Sequence, residues 1–76
     1  MSRRDFRLSN RLRVLRAETR ITQEELAEAV GVSRQTIIAI EKGDYAPSVL
    51  LALALARHFG KPVEEVFQAE PSESRD

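Results

Sequence analysis

The chain of 76 residues contains no cysteine and no tryptophan, and only one histidine, one tyrosine and three phenylalanines. Without cysteine there is neither a disulfide framework nor a thiolate metal site, and the lone His58 has no second imidazole to join it. So few aromatics leave little material for base-stacking platforms. An excess of one charge is missing too: twelve basic and twelve acidic side chains cancel. Many nucleic-acid-binding domains are, by contrast, strongly basic. The longest apolar run, Val49–Ala56, is eight residues, far short of the roughly 20 needed to span a bilayer. No apolar stretch follows Met1-Ser-Arg-Arg-Asp-Phe6, so no signal peptide is expected and the protein reads as soluble and cytoplasmic. With three glycines in all, there is no Gly-rich phosphate loop. His58 suits the C-terminal dipole of a predicted helix, and Glu24/Glu25 and Glu64/Glu65 read as solvent-facing pairs. No catalytic centre, metal site or cofactor is expected.

What is present suits one small domain, 42% apolar and 32% charged, of a size that gains from a partner subunit. Zero net charge conceals a gradient. Residues 1–20 carry seven arginines against Asp5 and Glu18, a balance of +5. Residues 21–42 come to −2 and residues 43–76 to −3.

Five helices are legible from periodicity and end signals. Asn10 is an N-cap candidate for a first helix with Leu12, Leu15 and Thr19 on one stripe. Thr22-Gln-Glu-Glu25 is a capping box that opens a second helix bearing Leu26, Ala27, Ala29 and Val30; Gly31 closes it. Ser33 caps a third helix, Arg34 to Lys42, closed by Gly43. Ile37, Ile40 and Glu41 form its inner face, while Arg34, Gln35, Ile38, Ala39 and Lys42 form its outer one. Val49–Ala56 alternates like a strand, but its alanines, the cap at Ser48 and the stop at Gly60 favour a helix. Its inner stripe is Leu51, Ala52, Leu55 and Phe59. A short fifth helix spans Pro62–Val66, with proline in the first turn. The tail Pro71–Asp76 is polar and expected to fray.

The stretch Thr22-Gln-Glu-Glu-Leu-Ala-Glu-Ala-Val-Gly-Val-Ser-Arg-Gln-Thr-Ile-Ile-Ala-Ile-Glu-Lys-Gly43 resembles the helix-turn-helix of the Xre, or lambda-repressor and Cro, family. The likeness runs over about Asn10–Phe67, including Pro47-Ser48 and the ending Phe-Gly-Lys-Pro-Val-Glu-Glu-Val-Phe67. The layout resembles that of the family's small stand-alone dimeric repressors, such as the cytolysin operon repressor. The resemblance implies an all-α fold, a compact five-helix bundle with helices two and three as the helix-turn-helix. An antiparallel ribbon near residues 5–9 and 66–70 would extend it, with disordered ends as the alternative. Residues 1–9 then form an N-terminal arm or strand, 10–67 the DNA-binding domain, and 68–76 a strand end and flexible tail.

The implied function is a sequence-specific transcriptional regulator, a repressor, that binds a palindromic operator in double-stranded DNA. It would do so as a homodimer, with the third helix in the major groove. Candidate base-reading residues are Arg34, Gln35, Thr36, Ile38 and Ala39. Arginine suits guanine, glutamine suits adenine, and apolar groups suit the thymine methyl. Arg34 could instead meet a phosphate, and Ile38 could be merely an exposed apolar residue. Gln23 and Ser33 at helix starts, with Lys42, Gly43, Tyr45 and Ser48, are the phosphate candidates. Relatives pair the position of Glu41 with a basic residue of the first helix, which gives an Arg16–Glu41 ion pair; the alternative is an exposed, unpaired Glu41. Tyr45, Ala46, Pro47, Phe59, Pro62 and Val63 are the dimer candidates, or else they only cover the monomer core. Leu50 and Ala54 stand where relatives carry polar residues, either harmlessly exposed or as a further partner surface. The rival reading is an antitoxin-like or adaptor helix-turn-helix module whose main partner is another protein, such as a regulatory protein.

Overall fold

The computed structural model describes residues 2–72, whose two ends pair as a short ribbon beside the helices. A 3-10 turn, Arg3–Asp5, leads into strand β1, Phe6–Asn10. Helices α1 (Leu12–Thr19), α2 (Gln23–Val30), α3 (Arg34–Lys42), α4 (Val49–Phe59) and α5 (Val63–Val66) follow, and α5 runs straight into β2, Phe67–Pro71. The strands pair antiparallel, Phe6 opposite Pro71 and Asn10 opposite Phe67. The Ser72 amide donates to the Asp5 carbonyl beyond the last pair, at 2.8 Å. The fold is therefore five helices plus a two-stranded sheet, which corrects the all-α label; the ribbon lies one residue C-terminal of the expected positions. Residues 73–76 of the expected flexible tail lie outside the described residues.

The helix starts follow from short side chains. The Thr22 hydroxyl accepts the Glu25 amide and the Glu25 carboxylate accepts the Thr22 amide, at 3.0 and 2.9 Å. Ser33 and Ser48 cap α3 and α4 by accepting the amides of Thr36 and Leu51. At α1 the capping position is Arg11, whose side chain makes no cap bond. Asn10 does the work from one residue earlier: its Oδ1 accepts the Leu12 amide and its Nδ2 donates to the Ile40 carbonyl, at 3.0 and 2.9 Å. One carboxamide thus ties the ribbon to the end of α3. Pro62 sits just before α5 as its cap residue, not inside its first turn. It loses nothing there, because that amide has no intrahelical acceptor.

Helices α1 to α4 all end on a left-handed residue: Arg20, Gly31, Gly43 and Gly60. At Gly31 (φ 80°) a Cβ would meet nothing within 4 Å. Substitution therefore carries backbone strain without a clash. Gly31→Ala is expected to lower stability by about 1 kcal/mol in a urea melt.

The core takes residues from every helix and from β2: Leu12, Leu15, Leu26, Ala27, Ile37, Ile40, Leu55, Ala56, Val66 and Phe67. All buried residues are apolar among those described. The stripes differ from expectation at two positions. Ala29 is exposed, and so is Thr19, whose hydroxyl bonds back to the Leu15 carbonyl at 2.8 Å. In α4 the apolar octet is too long for one face. At about 100° per residue, eight consecutive apolar side chains surround the helix. Leu55 and Ala56 are buried, while Val49, Leu50 and Leu53 remain 77%, 78% and 50% exposed.

Candidate nucleic-acid interface

The short turn between α2 and α3, Gly31 to Ser33, brings the two helices together with Ala27 buried in the core. Ile37 and Ile40 anchor α3 by its inner face, so its N-terminal end projects Arg34 and Gln35 into solvent. Thr36 is half-buried, and its hydroxyl lies 3.1 Å from that of the Ser33 cap. Ile38 and Ala39 are half-buried, and Lys42 is exposed. Of this outer face, Arg34, Ile38 and Lys42 share one groove, at spacings of four. Gln35 and Ala39 lie off it.

That groove runs between α1, the start of α2 and α3. Arg13, Arg16 and Arg20 line its far side, and Thr22, Gln23 and Glu24 its end. A second groove separates β1 from the α3–α4 loop and includes Arg7, Asn10, Lys42, Gly43 and Tyr45. The structure thus divides the expected phosphate group. Gln23 lies on the first groove, Gly43 and Tyr45 on the second, and Lys42 on both. Ser33 and Ser48 cap α3 and α4 by accepting backbone amides, which leaves each hydroxyl hydrogen to donate.

The floor of the first groove is an ion pair. Arg16 donates from Nε and Nη2 to the two carboxylate oxygens of Glu41, at 2.6 and 3.1 Å. Its Nη1 donates to the Ile21 carbonyl at 3.2 Å. The side chains are 17% and 8% exposed. A parallel two-bond fork is the strongest geometry open to such a pair. Burial by itself would raise the Glu41 pKa. Hydrogen bonds from Arg16 and Gln23, with the charges of Arg16 and Arg13, outweigh that and hold it below the ordinary carboxylate value. The bond to Glu41, opposed by burial and aided by the carboxylate charge, raises the pKa of Arg16. Gln23 Nε2 donates to Glu41 Oε1 at 3.1 Å, a tie that sequence reasoning missed. A carboxamide nitrogen carries two hydrogens, so the second stays free for another acceptor.

The expected dimer residues are scattered. Tyr45 and Ala46 are exposed and Pro47 half-buried, while Phe59 packs on the core with its ring edge-on to His58. Pro62 and Val63 line a hollow with Leu50, Leu53 and Ala54. Val49 and Leu53 were missed, although Leu50 and Leu53 stand three apart, the spacing of one helix face. Arg13 and Arg20 were not distinguished within the arginine-rich first twenty residues, whose arginines as a group were expected to supply further phosphate contacts; with Arg16 they repeat at three and four residues. Among the described residues no cluster of His, Cys, Asp or Glu could hold a metal ion, and no helix is long and apolar enough to cross a membrane.

A tight helix–turn–helix whose second helix offers polar side chains from a rigid base defines a class of DNA-binding domain. A family profile described as helix-turn-helix matches residues 12–66, and the chain belongs to this family of Xre/Cro-like transcriptional regulators. It is 52% identical over 66 residues to an uncharacterised HTH-type transcriptional regulator of Methanocaldococcus jannaschii, covering 87% of this chain and 100% of the relative. The HTH-type transcriptional regulator YgzD of Bacillus subtilis is 51% identical over 63 residues, covering 83% and 96%. The cryptic phage CTXphi transcriptional repressor RstR of Vibrio cholerae is 38% identical over 58 residues, covering 76% and 52%. Among solved structures, the restriction-modification controller protein C.AhdI of Aeromonas hydrophila superposes with a TM-score of 0.66 at 31% identity, covering 71% and 82%.

Proposed function

We propose that the protein is a sequence-specific repressor that binds a palindromic operator as a homodimer, with α3 of each protomer in the major groove. The observation that carries this reading is the exposed N-terminal end of α3, where Arg34 and Gln35 project from a helix fixed by Ile37, Ile40 and the Glu41 ion pair. Arg34 reads guanine through a bidentate contact and Gln35 reads adenine; Ile38 and Ala39 offer carbon to a thymine methyl group, and Thr36 stiffens the cap. Gln23, Ser33, Lys42, Gly43, Tyr45 and Ser48 hold phosphates and set the register. Repression is favoured over activation by the likeness to RstR, whose name is that of a repressor.

A homodimer follows from what one domain can read. A single helix covers one half-site, and a two-fold pair sets two recognition helices roughly 34 Å apart. The α4 face of Val49, Leu50 and Leu53, continued by Pro62 and Val63, supplies the apolar patch for the second copy. In this reading the interface is centred on α4, with the Tyr45–Pro47 loop at its edge.

Arg34→Ala or Gln35→Ala should weaken operator binding by about 1–3 kcal/mol per half-site and relax preference at particular base pairs. Fluorescence anisotropy on a duplex selected by the protein from a randomised pool, against an unselected duplex, measures both effects. Equal losses on the two would move these residues to the phosphate group. Failure of the wild type to enrich any sequence would instead favour the rival reading of a protein-binding adaptor.

A further inference from the structure

Three of the four left-handed helix ends are glycine, and the fourth is Arg20, at φ 60°. An L side chain is disfavoured in that conformation, and glycine relieves it. The exception stands at the rim of the first groove, where α1 turns into α2. Arg13, Arg16 and Arg20 fall at i, i+3 and i+7, so a single stripe of arginine follows α1 down that groove. Arg16 is neutralised by Glu41, but Arg13, Arg20, Arg34 and Lys42 have no ion-pair partner among the described residues. Glu24 is the remaining acid on the lining. A chain with no net charge thus gathers an excess of positive charge beside its proposed reading helix.

We propose that Arg13 and Arg20 clasp DNA backbone phosphates from the α1 side of the groove, opposite Arg34 and Lys42. This inference rests on the proposed DNA-binding mode and adds two contacts to it. The ligand chemistry is a phosphodiester, which a guanidinium engages through two parallel N–H bonds. The flanking duplex backbone would run along the groove while the end of α3 enters the major groove. The strained Arg20 backbone is retained because glycine there would remove the charge at the rim. Glu24, on the same lining, weakens the site through repulsion.

The test separates a DNA contact from a simple helix-end preference for cations. Arg20→Gly should cut the salt dependence of binding by about 0.9 in log–log slope per protomer, roughly a tenfold shallower fall between 50 and 200 mM salt for a dimer. Affinity should drop by the same factor on the selected and the unselected duplex, and the melting temperature should stay level or rise by a few degrees. Arg13→Ala should lower the slope equally, Arg20→Lys should keep it, and Glu24→Gln should tighten both duplexes. Wild-type slopes in Arg20→Gly and Arg13→Ala, or a fall in melting temperature of Arg20→Gly as the sole change, would overturn the proposal. A wild type with no preference among duplexes would sink the repressor reading alone, since the slope on the unselected duplex still reports on the clasp.

Discussion

Glu41→Ala should lose about 3 kcal/mol of stability in a urea melt, the low end of the range for breaking a buried ion pair, because this pair lies near the surface. The loss is large against the roughly 4–11 kcal/mol that a domain of this size possesses. It arises less from the pair itself than from what remains behind. Arg16, shielded by α1 and α3, would keep its charge with only the Ile21 carbonyl beside it, and Gln23 would lose its acceptor. Replacing both partners with apolar residues should therefore cost less than replacing one.

Acid provides an independent check on the same residue. The folded-state pKa of Glu41 is lowered, so its stabilisation is complete above the ordinary carboxylate pKa of about 4.3 and lost as pH falls through the folded value. Wild-type stability should accordingly decline on acidification below that range. Glu41→Gln should start lower at neutral pH and decline less. Parallel curves for the two proteins, or a loss under about 1 kcal/mol in Glu41→Ala at neutral pH, would remove the pair from its structural role.

The second large effect concerns assembly. Leu50→Lys combined with Leu53→Lys should convert the proposed dimer to a monomer in light scattering at micromolar concentration. Operator affinity should then fall by about 10²–10⁴, the usual gain from joining two modest contacts into one. Monomer stability should change by under about 0.5 kcal/mol, because both side chains lie on the exposed face. Tyr45→Ala is the counterpart for the loop-centred interface. A double variant that stays dimeric while Tyr45→Ala dissociates would return the interface to the loop.

The helix ends were readable because their causes are local. Thr22, Ser33 and Ser48 announce starts by the reach of one hydroxyl, and Gly31, Gly43 and Gly60 announce stops by their freedom at positive φ. Arg20 ends α1 in the same conformation with no residue-type signal, and Asn10 caps from outside the usual position because it also reaches Ile40. In α4 the cap, the stop and the helical period gave the inner stripe of Leu51, Ala52, Leu55 and Phe59, all of which pack on the core. That Ala56 is buried with them and Leu53 left half exposed depended on where α2 and α5 pack. The outer face of α3 followed from its period. The two grooves did not, since they are made by three elements brought together from distant stretches of the chain. Gln23 shows the same limit: its place at the start of α2 was clear, but its bond to Glu41 needed the fold.

The ribbon also determines how the molecule would respond to being pulled. Its open end lies where Phe6 faces Pro71, so a load applied through those residues acts across the strands and not along them. Rungs would then break in succession, beginning with the Ser72–Asp5 bond and ending at Asn10 and Phe67. Only then would force reach the bond from the Arg11 amide to the Val66 carbonyl, α1 through the chain itself, and α3 through the bond from Asn10 to the Ile40 carbonyl. The strands would act as a mechanical fuse, yielding rung by rung while α3 stays seated on Ile37 and Ile40.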